Sequence, residues 1–279
     1  MQEPERSVFF ARNLSELFYH MKTIAGLHIV GGCTRIRRLP EKSISTRTIP
    51  EMQQIVKHER YIEFGPGVAL AEIEAVGERH LPKVLYEAVR GIANPFVRNI
   101  ATIGGNICAE TELADASGTP LRQKLTLYAP LLALDARLEL RSFTKTVSLP
   151  LQNFTRIPDG HILTNIRVPL NDWDVAVFRR FGPENKITRN SAAFTFLAST
   201  EKSTISSLRI AFSGAVTFRC TALENSVLGL RLPFAAKSIG DCVEEAAAEF
   251  DRAAEGLALP PIPRQQFLNL VHYSFEQLT

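Results

Sequence analysis

Between positions 14 and 25 apolar residues recur at helical spacing. Leu14, Leu17, Phe18, Met21 and Ile24 share one face and Asn13 stands where a cap belongs, so an amphipathic helix is expected. The pattern then changes to short β-branched runs that stop at glycine. His28-Ile29-Val30 meets Gly31-Gly32, and the alternating Tyr61-Ile62-Glu63-Phe64 meets Gly65-Pro66-Gly67; a strand passes into a tight loop in this way. Positions 71–80 return to helical spacing. The apolar run 131–134 gives way to alternation as far as Leu140, which predicts a short helix or turn feeding a strand, and 162–169 reads as a strand closed by Pro169. Past the polar stretch Asn171-Asp172-Trp173-Asp174, positions 192–200 and 208–215 read as strands and 242–257 as an alanine-rich helix.

Helical and extended segments therefore interleave over the whole chain. At 279 residues the chain exceeds what one core usually serves, since single cores stop growing in this size range. Two lobes are expected, divided near 169–174, the second a sheet with helices on one side.

Composition narrows the class. A hydrophobic fraction of 45% and a charged fraction of 22% are ordinary for a globular protein. No segment has the ~18 consecutive apolar residues of a membrane span, and the polar start Gln2-Glu3-Pro4-Glu5-Arg6 does not read as an export signal. A cytoplasmic protein with no membrane partner is expected. The net charge of +3 is too mild to argue for nucleic acid; the basic cluster Arg35, Arg37 and Arg38 reads as a solvated face, as a neutraliser of an anion or as a dock for an acidic partner. Cys33, Cys108, Cys220 and Cys242 are widely separated and the six histidines lack ligand spacing, so no metal site is expected from local sequence.

The candidate chemistry lies in two loops of one design. Ile29-Val30-Gly31-Gly32-Cys33-Thr34 and Ile100-Ala101-Thr102-Ile103-Gly104-Gly105-Asn106 each run from apolar residues into paired glycines and a small polar side chain. Without Cβ atoms, such a backbone can turn its N–H groups toward a diphosphate, although each pair alone is equally a tight turn. The glycine signatures of dinucleotide-binding helices and phosphate loops are missing, as are the serine-elbow and zinc-protease patterns. No catalytic acid, base or nucleophile stands out.

The run Asn94-Pro95-Phe96-Val97-Arg98-Asn99-Ile100-Ala101-Thr102-Ile103-Gly104-Gly105-Asn106-Ile107 resembles the signature of the FAD-binding subunits of molybdopterin dehydrogenases, the xanthine and carbon monoxide dehydrogenase family. The likeness continues in order through Val30-Gly31-Gly32, residues 63–70, residues 130–136, residues 162–169 and residues 208–216. It implies an α+β chain: a PCMH-type FAD-binding fold of two small α+β subdomains (about 1–58 and 59–170), then a smaller C-terminal α+β domain (171–279) with an antiparallel sheet and helices. By position it assigns FAD contacts to Val30, Gly31, Gly32, Cys33 and Thr34, and to Ala101, Thr102, Ile103, Gly104, Gly105 and Asn106. Asp115 would lie by the ribityl or adenosine part, Ile162 and Leu163 would pack on the cofactor, and Arg179 would stand near the flavin ring, unless it is simply a solvated arginine.

Three departures accompany the likeness, one of them a connection over 116–128 longer than the family's usual one. Cys33-Thr34 replaces the family's usual Thr-Asp, and Glu110-Thr111-Glu112 replaces Ala-Ser-Pro, which adds two negative charges near the expected phosphates. The implied function is an electron-transfer subunit: FAD would take electrons from an iron–sulfur subunit, itself served by a molybdopterin-binding subunit, and pass them to NAD or another acceptor. The alternative is a structural subunit of the same fold that has lost strong FAD binding.

Overall fold

The chain begins with a strand and a helix, β1 (Ser7–Phe10) and α1 (Leu14–Thr23), in a computed structural model that describes residues 6–36, 38–114, 118, 120–183 and 186–278. Asn13 caps α1 as its position predicted, its side chain accepting the Glu16 N–H at 2.8 Å. There follow β2 (His28–Val30), β3 (Lys42–Ser45), a 3-10 turn (Pro50–Met52), β4 (Ile55–Lys57), β5 (Tyr61–Phe64), α2 (Leu70–Val76), α3 (Lys83–Arg90), α4 (Pro95–Arg98) and α5 (Ile103–Cys108). The middle of the chain holds β6 (Glu110–Ala114), β7 (Pro120–Lys124), α6 (Tyr128–Ala133), β8 (Arg137–Arg141), β9 (Thr146–Pro150) and β10 (Ile162–Pro169). The remainder is β11 (Val175–Phe181), β12 (Ala192–Glu201), β13 (Thr204–Ser213), β14 (Thr217–Arg219), α7 (Thr221–Ser226), α8 (Ala236–Ala253) and α9 (Pro261–Glu276).

These elements gather into two units, each discontinuous in sequence. The first comprises the described residues of Met1–Gly77, Asn94–Ala109 and Asp135–Leu170; the second those of Glu78–Ala93, Glu110–Leu134 and Asn171–Thr279. The first unit contains a parallel three-stranded sheet ordered β1-β3-β2 and an antiparallel five-stranded sheet ordered β4-β5-β10-β8-β9. A core of Leu17, Phe18, Ile44, Ile49, Met52 and Ile162 joins α1 to the strands. The helical spacing over 71–80 is realised only to Val76, because Gly77 adopts φ +90° and a left-handed residue ends the helix.

The second unit is built on the antiparallel sheet β11-β12-β13-β14. Phe194 and Phe196 point with Phe212 into a core shared with Phe250, Phe267 and Phe275 of α8 and α9. Edge-to-face contacts such as Phe196–Phe275 at 5.4 Å and Phe212–Phe250 at 5.5 Å order this cluster. The alternate residues Ala193, Thr195 and Leu197 are buried as well, and α3 and α6 contact the same strands. The sheet is thus covered on both faces, where the sequence pattern had suggested helices on one. The whole of 192–198 is buried, and a strand buried on both sides shows no alternation to read.

One charged group is enclosed in this unit. Glu224, 3% exposed, accepts the Ile210 N–H at 2.8 Å and pairs with Arg219 at 2.7 Å. Burial pushes its carboxyl upward while Arg219 opposes the shift. Among the described residues no helix is long and apolar enough to cross a membrane, and no group of three or more His, Cys, Asp or Glu could hold a metal.

Candidate functional site

The first glycine pair follows the last residue of β2. Val30, 5% exposed, is paired with Ser45 of β3, and its carbonyl accepts both the N–H and the hydroxyl of Thr46, at 3.1 and 3.4 Å. Beyond it the backbone leaves the sheet and Cys33 takes φ +56°, an uncommon conformation for a residue with a Cβ. Ile36 N–H donates to Cys33 O at 3.2 Å, closing a turn. The Cys33 thiol donates to Gly31 O at 3.4 Å. Burial raises the Cys33 pKa, and the Arg47 cation acts in the opposite sense, so this cysteine is a neutral thiol at physiological pH and serves as a small donor within its own turn.

The second loop is placed by caps and by one ion pair. Asn94 accepts the Val97 N–H at 3.0 Å to start α4, whose last residue, Arg98, is 8% exposed and meets Glu74 of α2 at 3.0 Å. Thr102 then caps α5 by accepting the Gly105 N–H on its hydroxyl at 3.1 Å. Ala101 O accepts Leu70 N–H at 2.8 Å, and Thr102 stands opposite Ala69 in a short antiparallel bridge.

The two loops pack on each other, and Gly31 and Gly32 are where they touch. A Cβ on Gly32 would lie 1.9 Å from Ile100 O; one on Gly31 would lie 3.2 Å from Thr102 Oγ1; one on Gly104 would lie 2.6 Å from Pro66 Cβ. The close approach that glycine permits is therefore made, at Gly32 and Gly104, by the protein's own backbone. It brings Gly31 and Gly32 against Ile100–Thr102.

Amide by amide, the loops are not equivalent. Ile103 N–H donates to Val68 O, Gly104 N–H to Pro66 O, Gly105 N–H to Thr102 Oγ1 and Asn106 N–H to Thr102 O, at 2.9–3.1 Å. These four are satisfied within the protein. Among the described residues the N–H groups of Gly32, Cys33, Thr34 and Thr102 have no protein acceptor, although Thr102 is only 6% exposed. A buried unpaired amide such as that of Thr102 calls for an external acceptor; Gly32 and Cys33 are half-buried and Thr34 is exposed, and a left-handed residue in a turn is the geometry in which successive N–H groups can face one anion. The residues present thus fit a diphosphate, chiefly at the first loop.

The other expected positions are placed as follows. Ile162 and Leu163 begin β10 and are 1% and 4% exposed; Ile162 packs with Ile44, Ile49 and Met52 in the core. Arg179 belongs to the second unit, is exposed on β11 and donates to Phe178 O at 2.7 Å. Asp115 and Arg37 lie outside the described residues; Arg35 and Arg38 are exposed, each with a partner. Glu110 belongs to the β6–β7 hairpin and is ion-paired with Lys124 at 2.7 Å, and Glu112 faces solvent. Both added charges are accounted for in this way. Sequence reasoning passed over Thr46 and Gln53, which no motif marks, while Pro66 lay in the Gly65-Pro66-Gly67 loop that the sequence did single out, though not as a support for the second glycine pair.

Residues 6–171 match the family described as the FAD binding domain in molybdopterin dehydrogenase. The chain belongs to this family. As a member of this family of FAD-binding domains it takes FAD as its cofactor. The chain is 32% identical over 123 residues to the putative xanthine dehydrogenase FAD-binding subunit XdhB of Escherichia coli K12, covering 44% of this chain and 36% of that protein. It is 26% identical over 213 residues to indole-3-acetaldehyde oxidase of Zea mays, covering 67% and 15% respectively. The match therefore spans well under two thirds of either relative. In fold it is similar to a chain of the carbon monoxide dehydrogenase from Hydrogenophaga pseudoflava that lacks the Mo-pyranopterin moiety, with a TM-score of 0.76 at 18% identity over 99% of this chain and 96% of that one.

Proposed function

We propose that this chain is the FAD-binding electron-transfer subunit of a multi-subunit molybdenum hydroxylase or dehydrogenase. The observation that carries the reading is the set of acceptor-free amides at Gly32, Cys33, Thr34 and Thr102, on two loops locked together by a Gly32–Ile100 contact too close for any side chain. Those amides would hold the FAD diphosphate. Val30, Gly31, Ala101, Ile103, Gly104, Gly105 and Asn106 would shape the cradle around it, and Ile162 and Leu163 would form its apolar backing. Asp115 and Arg179 keep their proposed places by the ribityl or adenosine part and the ring.

FAD, when bound, supplies the one- and two-electron chemistry. What the chain adds is fixed donors for the diphosphate and a neutral Cys33 that brings no competing negative charge to the turn. An iron–sulfur subunit would deliver electrons, a molybdopterin-binding subunit would generate them, and NAD or another acceptor would remove them; the division of labour agrees with the lack of cluster-ligand spacing in the sequence. A structural subunit with weakened FAD binding is the second reading, favoured by the internal pairing of the Ile103–Asn106 amides.

Purification of the native complex, followed by its absorption spectrum and titration with NADH, separates the two. Flavin absorbance retained on this chain and bleached by NADH or by the substrate of the molybdenum subunit is expected. A stable complex without flavin, unable to take up FAD, would overturn the electron-transfer reading in favour of the structural one.

A further inference from the structure

We propose that Gln53 is a positioning residue that holds the two glycine-pair loops in register, so that the first loop's free amides and Thr102 face one anion together. The proposal rests on the FAD reading above, but its geometry is independent of it. Gln53 follows the 3-10 turn Pro50–Met52, and its side-chain amide Nε2 donates to Thr46 O at 3.2 Å. Thr46 in turn holds Val30 O through both its N–H and its hydroxyl, one residue before Gly31. In this direction Gln53 supports the first loop.

In the other direction it supports the second. A Cβ on Gly67 would lie 2.0 Å from Gln53 Nε2, and a Cβ on Gly65 would lie 2.4 Å from Met52 O. The 65–67 turn is glycine-rich because residues 52–53 occupy the space that side chains would need. Gly65 N–H and Gly67 N–H donate to Gln54 O and Met52 O, both at 2.8 Å. From its far side the same turn accepts Gly104 N–H on Pro66 O at 2.9 Å, and Val68 O accepts Ile103 N–H at 3.0 Å. One side chain therefore sits between the support of Val30 and the support of the α5 N-terminus. No sequence motif announces it, since Gln53 lies in neither loop.

The test uses Gln53→Glu, which keeps the shape against Gly67 but turns a carboxylate oxygen toward the Thr46 carbonyl, and Gln53→Met, which keeps bulk without a donor. Hydrogen exchange is measured on the flavin-free chain and the FAD dissociation constant on the same preparations, with the melting temperature as the check on folding. Faster exchange at the Thr46 and Gly104 amides in both variants is expected, with β12 unchanged. FAD binding should weaken about threefold to tenfold, as expected for one lost neutral hydrogen bond. Unchanged protection at both amides would overturn the proposal whatever FAD does. So would faster exchange with an unaltered FAD dissociation constant, because the loops' register would then not matter to the anion. A wild-type chain that exchanges as expected but never binds FAD sinks the FAD reading and, with it, the role of the coupling in binding.

Discussion

Replacing Gly32 by alanine tests how the paired loops work. The new Cβ would stand 1.9 Å from Ile100 O and 2.8 Å from Ile100 C, and both atoms belong to the backbone, so no rotamer change relieves the contact. Reaching the shortest tolerated separation of 3.0–3.4 Å requires the loops to part by about 1.1–1.5 Å, the difference between those distances and 1.9 Å. Overpacking of this kind costs about 1–3 kcal/mol of stability. The larger effect is on binding, because an ångström of displacement removes amide donors from hydrogen-bond range. A charged acceptor loses about 1.5–3 kcal/mol per bond, so two lost bonds amount to at least about 3 kcal/mol, or roughly a hundredfold in the FAD dissociation constant. Gly31→Ala is the control, since its Cβ would meet only side chains, Thr102 Oγ1 at 3.2 Å and Thr46 Oγ1 at 4.0 Å, and no backbone, and is expected to weaken binding less than about fivefold, under ~1 kcal/mol. The assay is quenching of FAD fluorescence on titration, with the melting temperature of each flavin-free variant alongside. A Gly32→Ala chain that binds FAD within threefold of wild type would refute the reasoning, and so would equal losses in the two variants.

Other predictions concern the rest of the chain. Glu224→Ala removes the buried carboxylate that pairs with the Arg219 guanidinium, itself 10% exposed, and that accepts the Ile210 N–H; a loss of about 3–5 kcal/mol is expected, seen as a fall in denaturant midpoint, and a loss below ~1 kcal/mol would contradict the pairing. Glu63 is raised by burial but pulled further down by Arg167, Asn165 and His58, to a net position below the usual glutamate value near 4.5. A depressed carboxyl stabilises the fold above its unfolded pKa and loses that contribution as the pH falls through its folded one; Glu63→Gln should therefore flatten the decline in stability below about pH 4.5, and an unchanged acid limb would count against it. Iodoacetamide at pH 8 should modify the exposed Cys108 before the others, because Cys220 is enclosed with its pKa pushed well up and Cys242 is pushed up to about 11; early labelling of either, read by mass spectrometry, would contradict their burial.

Much of this was legible in the residues themselves, for a local reason. A strand that ends in two glycines, a cap such as Asn13 or Thr102 and an apolar helix face are set by neighbours within a few positions, and the signature over residues 94–107 is contiguous, so family and cofactor could be read from sequence. Other features depend on contacts between distant positions. The pairing of Gly32 with Ile100 crosses 68 positions, and nothing near Gly32 indicates that its missing Cβ makes room for protein backbone. The same holds for the spent amides of Ile103–Asn106, for the buried place of Ile162, and for Lys124 answering Glu110 across a hairpin. The helix α9 was missed because its start, Pro261, follows a proline-rich stretch that reads as loop; its burial comes from the sheet it meets. Sequence alone determined which segments turn, cap and alternate, because those choices are made by local backbone sterics and side-chain periodicity. Which amides remain free for an anion was decided only by tertiary structure, because an amide's availability depends on whichever carbonyl the fold brings to it.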